Sequence, residues 1–375
     1  MKLEPFQMER MQSQWENVVQ YNLSESGVHP ASVAELVGDG ELRDQLLGQR
    51  LGYSQTNGTE ELRGYICRLY PGADIDNILV TNGCSEANFI VIWSMLEAGD
   101  ELVFMVPNYM QIWGIARGFG ATVKPFQLLE ELNWAPDLDR LRQAVTDKTK
   151  MIAVCNPNNP TGAVLSEEAM EAIVEEAERV GAWLLADEVY QGAERIGETT
   201  PSFWGRYDKV LVTNGLSKAY GLPGLRIGWM VGLKEIIARL WSYHDYTTIS
   251  PGTLSDQLAR IALAPGNREW FIARTRRILQ TNYPILENWI EGHAATFSLI
   301  PPRAGAIAYL RYDLEINSTE LVRRLLHEKS VLIVPGDHCG MDRYLRSGYG
   351  PEAEYFQAGL NRIHETLQEI EQNQP

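Results

Sequence analysis

Strand candidates, most of them short apolar runs, recur along the chain at 78–81, 101–106, 122–127, 150–155, 182–187, 209–213 and 227–231. Stretches of helix length, at 84–97, 109–119, 138–145 and 166–180, separate most of them. That alternation permits few architectures, chiefly a mostly parallel sheet with helices packed on its faces. Sheets of this kind gather their ligand chemistry at the carboxyl ends of the strands. The spacing therefore predicts an α/β fold with a seven-stranded sheet, and it says where reactive residues should lie. Ser166, with glutamates close behind, reads as a helix N-cap. An amphipathic stretch from about 267 to 291 leads to Ile307-Ala308-Tyr309-Leu310, a helix over 318–328 and Val331-Leu332-Ile333-Val334. These last elements read as a smaller α+β unit.

Four strand ends make the same chemical demand. After Lys209-Val210-Leu211-Val212-Thr213 comes Ser217-Lys218-Ala219-Tyr220-Gly221, with Arg226 eight positions beyond the lysine. This setting presents an amine to an aldehyde while a nearby cation holds a phosphate. After Met151-Ile152-Ala153-Val154-Cys155 comes Asn156-Pro157-Asn158-Asn159-Pro160-Thr161-Gly162. A simple turn needs only two or three such residues. Trp183-Leu184-Leu185-Ala186 ends in Asp187, with Tyr190 three residues on. Thr81-Asn82-Gly83-Cys84-Ser85 joins a strand to an apolar helix, where backbone N–H groups and a hydroxyl form an anion cup.

Together these stretches resemble the pyridoxal-phosphate enzymes of the class I and II aminotransferase family, fold type I, from Tyr53 to about Arg346. The resemblance implies pyridoxal 5'-phosphate as cofactor and a homodimer with active sites at the interface. It implies three segments: an N-terminal arm over 1–45, a large cofactor-binding domain over 46–285 and a small domain over 286–375. Lys218 is then the amine that condenses with the cofactor aldehyde and later moves the proton at Cα. Asp187 pairs with the pyridine nitrogen, and Tyr190 and Asn159 reach the ring's phenolic oxygen. Tyr109 stacks on the ring. Gly83, Cys84, Ser85, Ser217 and Arg226 hold the phosphate, joined by Tyr53 from the partner subunit. Arg346 clamps the substrate α-carboxylate, with Arg343 as a rival. The chain departs from the pattern at Gly215, where much of the family has a hydroxyl.

Cofactor and fold do not fix the reaction, because the same motifs serve transamination and elimination. The substrate-side loop is Asn22-Leu23-Ser24-Glu25-Ser26-Gly27-Val28-His29-Pro30. It resembles the corresponding segment of the family's arginine-cyclising branch, which forms capreomycidine or enduracididine. Loss of hydroxide needs a proton donor, a role that falls to His29. Glu25 would pair with a guanidinium, and Ser26 and Gly27 would line the substrate. The plainer alternative makes the serines turn residues and His29 a helix cap. Cyclisation of a hydroxylated arginine is the preferred reading, and aminotransfer to a 2-oxo acid is the alternative.

Composition narrows the partners. A net charge of −16 over 375 residues argues against nucleic acid and anionic membrane surfaces. No run approaches the ~20 apolar residues of a membrane span, and the N-terminus has no apolar core of the signal-peptide kind, so a cytoplasmic enzyme is expected. Four cysteines, Cys67, Cys84, Cys155 and Cys339, and six histidines show no metal-ligand spacing. No basic helix pair suggests a DNA-binding module.

Overall fold

The computed structural model describes residues 2–372. All seven β-rich runs form strands of one sheet, as Ile78–Thr81, Glu101–Val106, Thr122–Leu129, Thr149–Cys155, Trp183–Asp187, Val210–Gly215 and Gly228–Val231. The sheet has eight strands rather than seven. Ala135–Pro136 adds an outer strand antiparallel to Thr122–Leu129, with Leu128 opposite Pro136. Two residues are too few for a periodic signal, and proline is tolerated at a sheet edge because no ladder donor is needed there.

The order across the sheet begins with Ile78–Thr81, then Gly228–Val231, Val210–Gly215, Trp183–Asp187 and Thr149–Cys155. Glu101–Val106, Thr122–Leu129 and Ala135–Pro136 complete it. The central pairings are parallel, and Gly228–Val231 runs antiparallel to both its neighbours. Strand side chains alternate between two apolar cores: Leu184 and Ala186 enter one, Leu185 the other. Burial on both faces explains why these strands read as continuous apolar runs. Each fully buried aliphatic side chain contributes roughly 1.5–3 kcal/mol. Helix Glu167–Val180 starts at Ser166, whose side chain accepts from the Ala169 N–H, and Cys84–Met95 crosses behind the sheet.

A second, antiparallel sheet is built from Phe297–Leu299, Ile307–Tyr312, Tyr344–Gly348 and Val334–Pro335. The apolar run over 331–334 is divided between two sheets. Val331–Leu332 pairs in parallel with Tyr21–Asn22, while Val334 lies opposite Arg346. That pairing carries the N-terminal segment across the molecule. The Leu23 N–H donates to Leu332 O at 2.8 Å and the Gly348 N–H to Leu23 O at 2.7 Å. A Cβ at Gly348 would strike the Glu25 carbonyl, and one at Gly350 the Gly27 carbonyl. Glycine at both positions lets residues 23–28 lie flat against the small sheet. Among the described residues, no helix is long and apolar enough to cross a membrane. No group of three or more His, Cys, Asp or Glu among them could hold a metal ion.

Candidate active site

The carboxyl ends of the central strands open into a cavity of about 280 Å³. Parallel pairing puts Cys155 beside Asp187 and Asp187 beside Thr213, so residues distant in sequence arrive on one rim. Lys218, half-buried, lines the cavity just past Val210–Gly215. Burial lowers its pKa, assisted by the Arg346 and Arg226 charges and opposed by those of Glu25 and Glu9. A lysine so placed yields a neutral amine more readily than an exposed one.

Asp187 is buried at the end of its strand. Its Oδ2 accepts from Asn88 Nδ2 at 3.0 Å, and Oδ1 accepts from the Val189 N–H at 3.1 Å and from Cys84 Sγ at 3.6 Å. Burial pushes its pKa up, while these donors and the Lys218 charge pull it down. Tyr190 is held near by Asn159, whose Nδ2 donates to the phenol oxygen at 3.1 Å. The same Asn159 accepts through Oδ1 from Arg346 Nη1 at 3.1 Å. Arg346 is 1% exposed. Its Nη2 donates to Ser24 O at 2.6 Å, and its Nε has no partner among the described atoms. A buried guanidinium with a donor left over suits a ligand carboxylate.

At the other end of the cavity helix Cys84–Met95 begins at Gly83, which has φ +88° and offers no side-chain cap. The first-turn N–H groups are thereby left to a ligand. Arg226 packs over Gly83, where a Cβ would meet its guanidinium, and its Nη1 lies 3.5 Å from Ser217 Oγ. Cys84, Ser85, Ser217 and Arg226 all line the cavity. An amine, a buried carboxylate, a phenol and a helix-start cup with a fixed cation match the functional groups of pyridoxal phosphate one by one. The residues fit that cofactor. When bound it supplies an electron sink for charge developing at a substrate Cα.

The remaining wall comes from the N-terminal arm. Glu25 and Ser26 line the cavity, and Gly27 packs beside it, where a Cβ would lie 3.7 Å from Lys218 Cδ. Helix Gln7–Trp15 and the residue after it bring Glu9, Gln12 and Glu16 to the cavity. The Gln12 amide donates to Ser24 O and Ser24 Oγ, both at 3.0 Å. Tyr109 meets Phe6 edge-on at 4.8 Å and donates to Glu9 Oε1 at 2.7 Å. Burial and the nearby charges of Glu25 and Glu9 raise the Glu16 pKa.

His29 lies elsewhere than its place in the loop suggests. It does not line the cavity. Its Nδ1 lies 3.1 Å from Gly350 O and its Nε2 3.2 Å from Glu352 Oε1. The chain turns outward after Gly27 because the His29 N–H bonds Gly350 O at 2.8 Å, and the ring follows. Tyr53 is 87% exposed and also lies outside the cavity. Arg343, the rival to Arg346, bonds Glu315 and Leu314 O on the surface of the small unit. Sequence reading passed over Glu9, Gln12, Glu16 and Asn88. For Asn88 a signal existed, a single amide inside the largely apolar helix Cys84–Met95. For the glutamates the i, i+3, i+7 spacing of 9, 12 and 16 marks one helix face, but nothing local says what that face meets.

Fold and site together define a pyridoxal-phosphate enzyme of fold type I. The chain belongs to the class I and II aminotransferase family, whose model matches residues 23–363. It is 31% identical to capreomycidine synthase of Streptomyces vinaceus over 92% of this chain and 89% of that protein. It is 30% identical to an aspartate/prephenate aminotransferase of Thermus thermophilus over 78% and 76% of the two chains. Among solved structures, a PLP-dependent aminotransferase from Streptococcus suis superposes with TM-score 0.92 at 35% identity, covering 99% of both chains. The PLP-dependent cyclase OrfR superposes with TM-score 0.89 at 28% identity, covering 98% of each.

Proposed function

We propose that this enzyme acts at Cα of an L-amino acid with a cationic side chain. The favoured reaction is cyclisation of a hydroxylated arginine, which expels water and closes a guanidine nitrogen onto the carbon that carried the hydroxyl. One observation carries the reading, the charge inventory of the cavity. Its lining cations are Lys218, Arg226 and Arg346, and the cofactor aldehyde, the phosphate and the substrate α-carboxylate account for all three. The acids left over are Glu9, Glu16 and Glu25, since Asp187 answers to the pyridine nitrogen. Such a wall attracts a guanidinium and repels a second carboxylate. The similarity to capreomycidine synthase and to the cyclase OrfR supports the same choice.

Each residue then has a task. Arg346 holds the α-carboxylate with the aid of Asn159. Lys218 takes and returns the proton at Cα. Tyr190 and Asn159 orient the phenolic oxygen of the cofactor. The departing hydroxyl needs a proton that His29, outside the cavity, is not placed to give. Lys218, which lines the cavity, is assigned that role once it carries the Cα proton as an ammonium. The active unit is a homodimer to which Tyr53 of one subunit contributes at the phosphate of the other. The exposure of Leu51 and Tyr53, at 79% and 87%, supports a covered face there.

Aminotransfer is the second reading, supported by the aspartate/prephenate aminotransferase relative. Purified enzyme given β- or γ-hydroxyarginine separates the two. Cyclisation releases a cyclic guanidino acid with no 2-oxo acid added. Strict dependence on 2-oxoglutarate or pyruvate, with keto acid formed in equal amount, would falsify cyclisation and install aminotransfer.

A further inference from the structure

Asn88, at the wall of the cavity, forms a buried polar pair with Thr213. Thr213 Oγ1 donates to Asn88 Oδ1 at 2.8 Å, and Asn88 Nδ2 donates to Asp187 Oδ2 at 3.0 Å. Asn88 is 2% exposed and Thr213 fully buried. We propose that Asn88, oriented by Thr213, is a positioning residue that keeps Asp187 a carboxylate and aims it at the pyridine nitrogen of the cofactor.

Which partners can give a proton and which can take one bears on the charge of Asp187. A carboxylate in a dry site is costly unless its lone pairs are met. The partners of Asp187 are an amide NH2, the Val189 N–H and the Cys84 thiol. The amide and peptide nitrogens donate and cannot accept. A protonated Asp187 would face the same donors with one lone pair fewer, so these donors favour the anion against the burial that raises its pKa. An asparagine can present either end, and a turned amide would set Oδ1 against Asp187 Oδ2. The acceptor-only carboxylate favours the productive orientation, and the Thr213 hydroxyl completes it by donating to Oδ1. Thr213 also sits in register with Asp187 on the neighbouring strand, so donor, anchor and target belong to one rigid unit. The bland alternative is a satisfied core amide. Against it, the helix buries Ala87, Ile90, Val91 and Ile92 around this position, where a leucine would pack as well. The inference depends on the cofactor and holds for either reaction proposed above.

The test replaces Asn88 in the full-length enzyme. In Asn88→Leu the dissociation constant of pyridoxal phosphate from the apoenzyme should rise about tenfold, the loss of one charge-assisted hydrogen bond. The pH midpoint of the visible band of the lysine-bound cofactor should move in the same direction as in Asp187→Ala, but less far. Asn88→Asp should exceed Asn88→Leu, because a second carboxylate against Asp187 makes the two share a proton. A role in packing alone would lower the apoenzyme Tm and leave the midpoint where it was. Cofactor affinity within twofold of the parent together with an unmoved midpoint overturns the proposal. If Asn88→Leu does not fold, Thr213→Val decides: a smaller shift in the same direction supports the proposal, and none overturns it.

Discussion

The two ends of the cavity are built differently. The cofactor end is assembled from strand termini and one helix start: Asp187, Lys218, Asn159 and the Gly83-Cys84-Ser85 turn all belong to one continuously paired sheet or the loops leaving it. The substrate end is a composite. Helix Gln7–Trp15, residues 23–28 and Arg346 meet there only because Tyr21–Asn22 pairs with Val331–Leu332 and glycines at 348 and 350 admit the loop. On the proposed reading, the half built on the sheet supplies the common chemistry and the half joined by a few long-range contacts supplies selectivity.

The sharpest break between the halves is predicted for Lys218→Ala. Turnover should fall by three orders of magnitude or more, on the order of 4 kcal/mol in the barrier, with the visible band lost and apoenzyme Tm little changed. Retention of the band in that variant would place the cofactor on another amine. Next comes Arg346→Lys, which removes the planar fork while keeping the charge. Its kcat/KM should drop roughly a hundredfold, about 2.7 kcal/mol, with cofactor affinity preserved. Equal losses in cofactor binding would mean that the halves are not separable.

Glu16→Gln should have a smaller and more selective effect. Loss of one charge-assisted contact raises KM for a guanidino substrate roughly tenfold and leaves the visible band intact. The effect carries a pH signature. The raised Glu16 pKa means that the side chain gains its charge only at higher pH than an ordinary glutamate. Wild-type KM should therefore fall as pH rises through that titration, and Glu16→Gln should flatten the dependence. A KM insensitive to both substitution and pH removes Glu16 from substrate binding. The smallest change belongs to His29→Ala, expected within about twofold in kcat, since the ring pairs with Glu352 at the surface and exposed pairs contribute at most ~1 kcal/mol. A hundredfold loss would return the imidazole to the chemistry.

The difference between the halves also governs what the sequence made legible. Strand runs, the amine at Lys218 and the carboxylate at Asp187 were readable because parallel strands end where ligands bind, so local pattern and site coincide. Arg346 was readable only through family resemblance, yet its orphaned Nε gives the assignment a physical basis. His29 misled because its neighbours Glu25 and Ser26 do reach the cavity, while its own backbone bond to Gly350, three residues after Ser26, turns the chain away. Glu9 and Glu16 were missed because their role depends on a pairing between residues 21 and 331, some three hundred positions apart, that no local periodicity encodes. Asn88 was within reach: a lone amide in a largely apolar helix asks for a partner.

The most direct test of the central claim titrates the holoenzyme with arginine, hydroxyarginine and aspartate while following the visible spectrum. An acidic substrate wall predicts that the two guanidino acids perturb the band at concentrations far below any that aspartate requires. Aspartate acting as readily as hydroxyarginine would contradict it.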